Sequence, residues 1–285
     1  MNVYEIVTDR IIKSLEQGII PWQRPWFSTT ERAMNYISKK PYSLLNQMLL
    51  GGPGYYMSFK QVQEKGGNVK KGAKSRIVVF WKQLQVDDED ADGNKIKKTI
   101  PMLRYYNVFS QTDIEGIEFP ETQTNENAHP EETAEQIIKE YLDREPELKF
   151  QNDAISNQAY YSPSEDKVVV PMMSQYERIS EYYSTAFHEL THSTLKETRC
   201  NRKTENKKAA FVSTECSKEE LVAEIGAAAL TNRSGLETDH SFQNSEAYIQ
   251  NWLKKLQNDP KFIVSASGKA EKAVNYILGE TVTEE

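Results

Sequence analysis

The segment His188-Glu189-Leu190-Thr191-His192 constrains this chain more than any other feature of its 285 residues. In a helix, residues four apart lie on one face, so His188 and His192 can bind a single metal ion. Glu189 lies beside them, where it can act as the general base toward a water molecule. Residues 184–187 contain no proline or glycine, which agrees with a helix. The pattern predicts a site for Zn²⁺ or another divalent metal and a hydrolytic reaction.

A catalytic zinc site needs a third protein ligand, and residues 217–230 supply the candidates. Ser217 and Glu220 have capping-box spacing at the start of a predicted helix. Glu224 is a charged residue in an otherwise apolar interior, where it needs a partner. We expect Glu220 to bind the metal and Glu224 to orient one of the histidines through its ring N–H, although the reverse assignment is also open. Alternatively, the favourable interaction of acids with a helix N-terminus accounts for Glu219 and Glu220 without a functional role, but it does not account for Glu224.

The charge of the chain is unevenly distributed. Residues 1–80 contain 12 Lys or Arg and 5 Asp or Glu, whereas residues 121–166 contain 3 and 12, respectively. A basic front therefore coexists with a formal net charge of −7 for the whole chain. This distribution makes a polyanion-binding N-terminal domain plausible.

Single-stranded nucleic acid needs cations along its backbone and flat side chains against which its bases stack. The basic front contains both, and a Lys-rich turn at residues 70–76 enters a predicted strand. No helix-turn-helix, zinc-finger or P-loop pattern is visible, so the sequence gives no indication of sequence-specific duplex recognition. The candidate DNA-binding residues are Trp22, Arg24, Trp26, Arg32, Asn35, Tyr42, Asn46, Lys70, Lys71, Lys74 and Arg76.

The order of predicted elements indicates an α+β fold with two domains. We expect a small α+β DNA-binding domain at residues 1–120, a polar linker at 121–132, and a zincin-like metallopeptidase domain at 133–285 whose active-site helix carries the histidine motif. The predicted helices are 3–17, 44–50, 58–65, 133–144 and four near 177–196, 217–232, 244–257 and 268–278; the predicted strands are 77–81, 103–109, 148–151 and 167–170.

The sequence shows no export signal at its N-terminus and no stretch long enough to span a membrane. We therefore expect a cytoplasmic protein without a membrane partner.

The chain resembles the ArdC-type antirestriction family of plasmids and other mobile elements. The resemblance rests on Pro21-Trp22-Gln23-Arg24-Pro25-Trp26, Asn35, Pro41-Tyr42-Ser43-Leu44-Leu45-Asn46, Ser58-Phe59-Lys60-Gln61, Val69-Lys70-Lys71-Gly72, the histidine motif, and Glu219-Glu220-Leu221-Val222-Ala223-Glu224-Ile225-Gly226. It implies a single-stranded-DNA-binding domain joined to a zincin-like metallopeptidase domain, and protection of incoming DNA from restriction. It also implies a metal at His188, His192 and Glu220, with Glu189 catalytic.

Two other functions are compatible with the same residues. One is a metalloprotease whose N-terminal domain recognises a protein or peptide substrate, and the other is a non-enzymatic DNA-binding module with a structural metal. If the site hydrolyses a peptide bond, a donor must stabilise the developing oxyanion. Tyr160, Tyr161 and His240 are the candidates for that role, and His240 is also a lower-ranked third ligand.

Overall fold

The computed structural model describes residues 2–23, 32–89, 95–120, 129–202, 214–236 and 246–281. The helices are α1 (Val3–Glu16), α2 (Leu44–Leu50), α3 (Phe59–Glu64), α4 (Pro130–Arg144), α5 (Ile179–Ser193), α6 (Thr214–Ser234), α7 (Glu246–Asn258) and α8 (Phe262–Leu278). The strands are β1 (Ala33–Asn35), β2 (Gly54–Met57), β3 (Asn68–Val69), β4 (Arg76–Glu89), β5 (Lys95–Ser110), β6 (Ile114–Glu115), β7 (Lys149–Gln151), β8 (Tyr160–Ser162) and β9 (Lys167–Val169).

The N-terminal half is built on a sheet with strand order β1-β2-β5-β4. β1 and β2 are parallel, and the other neighbouring strands are antiparallel. The sequence correctly predicted that β4 and β5 pair, but both strands extend well beyond 77–81 and 103–109. Opposite charges such as Asp87 and Lys97 face each other across the extended part, which favours continued pairing.

Helix α1 covers one face of this sheet. It begins at a capping box, in which Asn2 and Glu5 satisfy each other's backbone N–H groups. Its apolar stripe, which includes Val7 and Ile11, is buried in one cluster with Val79 and Leu103 of the hairpin. The helical period read from the sequence therefore predicted both the helix and its buried face.

The C-terminal half contains a smaller sheet with strand order β7-β9-β8, which leaves β8 at an edge. β7 is parallel to β9, and β8 is antiparallel to it. The sequence predicted β7 and β9 but missed β8. Helix α5 packs against β8 and β9.

Helix α4 begins earlier than the sequence predicted. Residues 121–128 lie outside the described residues, but the helix begins at Pro130, three residues earlier than expected. Proline is favoured in the first turn because its missing N–H would have no partner there, and Glu131 and Glu132 interact favourably with the helix N-terminus.

A single apolar cluster connects the two halves. It joins Val7 and Leu15 of α1 to Ile225 of α6, Trp252 of α7 and Ile263 of α8, all of them buried. The architecture is α+β with two domains, and the domains share core residues across their contact. Within the described ranges, no helix is long and apolar enough to cross a membrane.

Candidate metal centre and nucleic-acid interface

Helix α5 places the two motif histidines on one face. The Nε2 atoms of His188 and His192 lie 3.1 Å apart, and the two rings meet at 79°. His188 is partly exposed, while His192 lies deeper, with 13% of its side chain accessible. The motif therefore forms the paired donor site that its spacing predicts.

Glu220 of α6 completes a group of three possible ligands. Its carboxylate oxygens lie 3.5 Å from Nε2 of His188 and 3.6 Å from Nε2 of His192. Ligand atoms around a tetrahedral zinc ion with bonds of about 2.1 Å are separated by roughly 3.4 Å. The three side chains therefore fit one divalent ion, and among the described residues they form the group of His, Cys, Asp or Glu side chains that could hold a metal.

The ionisation of these side chains also suits a cation. Burial alone would lower the pKa of His192, but contacts with Glu219 and Glu220 raise it to about 9. Hydrogen bonds from the two histidines hold the pKa of Glu220 well below its usual range. A positive charge is therefore favoured between these groups, whether a proton or a metal ion supplies it.

Helices α5 and α6 approach closely enough to form this site because α6 has glycine at their contact. A Cβ at Gly226 would lie 2.6 Å from Cγ2 of Thr191, closer than packed atoms tolerate. Thr191 is itself fully buried, and its hydroxyl donates to the carbonyl of Phe187 within α5. Gly226 thus sets the separation between the helix with the histidines and the helix with Glu220.

The residue that supports His192 from behind is Glu219, which the sequence had given no role. Its Oε1 lies 3.7 Å from Nδ1 of His192, the ring nitrogen that faces away from the ion site. Arg202 holds Glu219 through two contacts of 2.6 and 3.2 Å, and donates a further hydrogen bond to the carbonyl of Thr191 in α5. Such a carboxylate fixes the orientation of a metal-binding imidazole. Arg202 belongs to no recognisable sequence motif, so its contact with Glu219 could not be predicted from the sequence.

The expected role of Glu224 is corrected by its surroundings. Its carboxylate accepts a hydrogen bond from the hydroxyl of Tyr248 in α7 rather than from an imidazole. Burial raises its pKa to about 7, although the contacts with Tyr248 and Trp22 lower it. Glu224 lies one helical turn beyond Glu220, at the junction of the two halves, and so does not orient either histidine.

Glu189, the predicted general base, lies between the ion site and the edge strand β8. Burial raises its pKa, and the nearby His188 and His192 lower it. The backbone N–H of Tyr161 in β8 also lowers the pKa of Glu189, so this amide faces the carboxylate. The site therefore combines three possible ligands, one adjacent carboxylate and an open strand edge.

The oxyanion candidates are only partly placed by the structure. The hydroxyl of Tyr161 donates to Asp166 at 2.9 Å, so it is directed into a structural network and not toward the ion site. Asp166 is also bonded to buried Arg199 and to Lys196, which together hold its pKa at about 2 against the effect of burial. Tyr160 is 44% exposed. His240 lies outside the described residues.

Two of the candidate DNA-binding residues are buried in the core. Trp22 is 1% exposed and packs edge-on against Trp252, with ring centroids 6.1 Å apart. Asn46 is 1% exposed, and its amide bonds both the N–H and the carbonyl of Val79 at 2.8 Å. Trp22 and Asn46 therefore offer no surface to a nucleotide, because the ring is buried and the amide bonds the backbone of Val79 inside the core.

Four further candidates have structural partners. Asn35 accepts from the backbone N–H groups of Ile37 and Ser38, and its amide reaches the hydroxyl of Tyr42, which is 6% exposed. Arg76 donates to the Leu50 carbonyl and to the Tyr56 hydroxyl. Lys70 is exposed but donates to the Thr112 carbonyl. Lys71 and Lys74 are exposed and Arg32 is half-buried, while Arg24 and Trp26 lie outside the described residues.

Comparison with known proteins identifies the relatives of both halves. Residues 1–109 match the family model of the N-terminal domain of anti-restriction factor ArdC, and residues 134–269 match that of a zincin-like metallopeptidase. The crystal structure of the antirestriction ArdC protein from plasmid R388, in its Mn(II)-bound form, superimposes with a TM-score of 0.74 at 28% identity, over 98% of each chain. The chain belongs to the ArdC family. The metal-free structure of the same ArdC protein gives a TM-score of 0.72.

Other relatives of this ArdC-family chain differ in length. Two DNA primases TraC from Escherichia coli are each 30% identical over 96% of the chain, which spans only 20% and 27% of their lengths. An uncharacterized protein of Sinorhizobium fredii, y4eC, is 28% identical over 97% of the chain and 91% of its own length. The same sequence unit therefore occurs within much longer proteins.

Proposed function

We propose that this chain is an antirestriction-type protein of a mobile element, which binds single-stranded DNA and carries a divalent-metal-dependent, peptidase-like site. The observation that carries the hydrolytic part is the convergence of His188, His192 and Glu220 beside Glu189. The ArdC family membership supports the combination of this site with a DNA-binding domain.

The residues of the site have separate roles in the proposed reaction. His188, His192 and Glu220 hold the ion, and Glu219 with Arg202 keeps the His192 ring in place. A bound divalent cation supplies Lewis acidity, which makes a water molecule nucleophilic near neutral pH. Glu189 takes the proton from that water at its carboxylate and returns it to the leaving amine. Among the described residues β8 lies at the edge of its sheet, where an extended peptide can align.

The exposure of the site favours a hydrolytic centre over a purely structural metal. Glu220 has 53% and His188 has 25% of its side chain exposed, so solvent and substrate can reach the ion position. Structural zinc sites are usually closed by four protein ligands, whereas catalytic sites keep one position open. Three ligands, two of which are exposed to solvent, match the second description.

Metal analysis tests the centre directly. The purified chain is expected to bind one equivalent of Zn²⁺ or Mn²⁺, and His188→Ala to bind neither tightly. Glu189→Gln is expected to retain the metal and to lose hydrolysis of a peptide library, because it preserves the ligands and removes the base. A wild-type protein that binds no metal would overturn the assignment.

The DNA-binding part rests on the basic N-terminal half and is tested separately. We expect binding of oligothymidylate in preference to duplex DNA, with an affinity that falls steeply as salt rises because each phosphate contact releases counterions. Exposed Lys71 and Lys74, together with Arg32, remain candidates for this contact. Absence of any salt-sensitive binding would favour instead a metalloprotease whose N-terminal domain recognises protein.

The third possibility is a DNA-binding module with only a structural metal. The same Glu189→Gln variant distinguishes it from the proposed hydrolytic function. If protection of transferred DNA from restriction requires hydrolysis, the variant fails in a conjugation assay although it still binds metal and DNA. If the variant protects like the wild type, the proposed reaction plays no part in antirestriction.

A further inference from the structure

A cleft of about 690 Å³ separates the two halves on a side of the molecule that the metal centre does not occupy. One wall is formed by residues 40–45 and by the β4–β5 hairpin, and the other by the end of α6 and one face of α8. A cavity of this size accommodates a ligand as large as a nucleotide. None of His188, Glu189, His192 and Glu220 lines it, so it is not the place where a scissile peptide bond would lie.

The N-terminal wall of the cleft has aromatic surface. Trp81 is 48% exposed, and it touches Tyr4 of α1 only edge-on, with ring centroids 6.5 Å apart. Phe80, the preceding residue in β4, is half-buried and also lines the cleft. An accessible indole face is a surface on which any base can stack, without regard to sequence.

The charged groups of the cleft favour an anion on the N-terminal side. Arg32 and exposed Lys40 line it there. The opposite wall has two carboxylates, but Glu280 pairs with Arg233 and Glu271 accepts a hydrogen bond from the backbone N–H of Leu44. Phosphates can therefore approach Arg32 and Lys40 while the acidic side chains remain engaged in the fold.

The wall formed by α8 leaves room opposite these rings. Gly268 is exposed and lines the cleft, and a Cβ built on it would meet nothing within 4 Å. A glycine in the middle of a helix lowers helix stability compared with alanine. Its presence at this position keeps the cleft open.

We propose that the cleft between the halves is a binding site for single-stranded DNA, with a base stacked on Trp81 and the adjacent phosphates held by Arg32 and Lys40. This inference rests on the proposed DNA-binding function and locates it. Both halves contribute to the site, so DNA binding is not confined to residues 1–120. The predicted basic turn at residues 70–76 then contributes general electrostatic attraction and does not hold a base.

The test uses the full chain and fluorescein-labelled oligothymidylate, with affinity measured by fluorescence anisotropy. Trp81→Ala is expected to weaken binding about 5- to 100-fold, the effect of losing one stacked base. The matched control is Phe59→Ala, because Phe59 is similarly exposed, at 52%, in the same half but outside the cleft. Lys40→Glu is likewise expected to weaken binding more than its control, Lys65→Glu. Both variants reverse the charge of one exposed lysine of the N-terminal half, but only Lys40 lines the cleft.

A second pair of variants fills the cleft and leaves its charges unchanged. Gly268→Phe places a ring in the cavity and is expected to weaken DNA binding at least tenfold, whereas Ser265→Phe places the same ring on α8 outside the cavity and is expected to bind as the wild type does. Circular dichroism checks that both variants fold. If Gly268→Phe does not fold, the Trp81 and Lys40 pairs still decide the question.

The outcomes of these experiments distinguish the proposed location of the DNA-binding site from the proposed DNA-binding function. Salt-sensitive binding by the wild type that is unchanged in Trp81→Ala, Lys40→Glu and folded Gly268→Phe overturns the cleft but leaves DNA binding in place. No binding by the wild type overturns the proposed DNA function itself. If the cleft variants impair peptide hydrolysis and spare DNA binding, the cleft belongs to a peptide and the proposal is wrong.

Discussion

At the scale of single residues, two carboxylates of α6 differ in the neighbours that they contact. Glu220 and Glu224 lie one turn apart, so the sequence placed both near the ion. In the structure α6 crosses α5 in such a way that only the turn with Glu219 and Glu220 reaches the histidines. Glu224 lies at the junction with α7. The helical period predicts on which face of α6 each residue lies. It does not predict which turn of α6 crosses α5.

Replacement of Glu219 by Gln tests its support of His192. Loss of the carboxylate weakens the contact with Nδ1 and removes the anionic partner of Arg202, so we expect divalent-metal affinity to fall about 10- to 100-fold. Competition with a chromogenic chelator measures the dissociation constant. Glu224→Gln is the matched control and should bind metal nearly as tightly as the wild type. If Glu224→Gln has the larger effect, the sequence-based assignment was right.

Burial of Glu224 predicts a pH-dependent stability. Its pKa is 4.5 in the unfolded reference and about 7 in the folded protein. Between these values the folded state binds a proton that the unfolded state has released, so the free energy of unfolding falls as pH rises from 4.5 to 7. The total loss is about 3 kcal/mol, at 1.36 kcal/mol for each pKa unit.

This pH dependence is measured by urea unfolding of the metal-free protein at several pH values, with chelator present so that no ion affects neighbouring Glu220. Glu224→Gln has no proton to exchange, so its stability relative to the wild type should increase from pH 5 to pH 8. A constant difference between the two proteins over this range would contradict a buried, neutral Glu224.

At the scale of secondary-structure elements, the approach of α5 to α6 determines the metal geometry. Gly226→Ala pushes a methyl group against Thr191, so we expect a loss of about 1–3 kcal/mol in the free energy of unfolding, together with weaker metal binding. Gly268→Ala is the control in α8, where the same methyl meets open space and should stabilise the helix by up to about 1 kcal/mol. Thermal unfolding and metal titration of both variants test this. Equal behaviour of the two would show that the helix contact is not tight.

The elements also show what the sequence could and could not predict. The amphipathic helix α1 was predicted to within a residue, because its period repeats over several turns. The start of α8 was missed by six residues, since Phe262, Ile263 and Val264 lack a polar face to mark the period. They are buried at the contact between the halves, so their environment depends on residues far away in the sequence.

At the scale of the whole molecule, the shared core makes the two halves dependent on each other. The sequence predicted separate domains from composition and charge, and those quantities do not report which apolar faces meet. Trp22 illustrates the difference: its neighbourhood indicated a nucleic-acid surface, but its ring fills the junction against Trp252. An aromatic residue in a basic segment can either contact nucleic acid or fill the core. Only long-range packing determines which of the two it does.

The shared core predicts that the halves unfold together. Ile11 of α1 is 1% exposed in the cluster that spans both halves, so Ile11→Ala should cost about 2–5 kcal/mol. Urea unfolding is followed by circular dichroism for the whole chain, and by metal release to a chelator for the C-terminal half. Because the core is common, we expect Ile11→Ala to lower both midpoints equally, as Ile137→Ala in the C-terminal core should also do. A metal-release midpoint that Ile11→Ala leaves unchanged would mean that the C-terminal half is stable without α1.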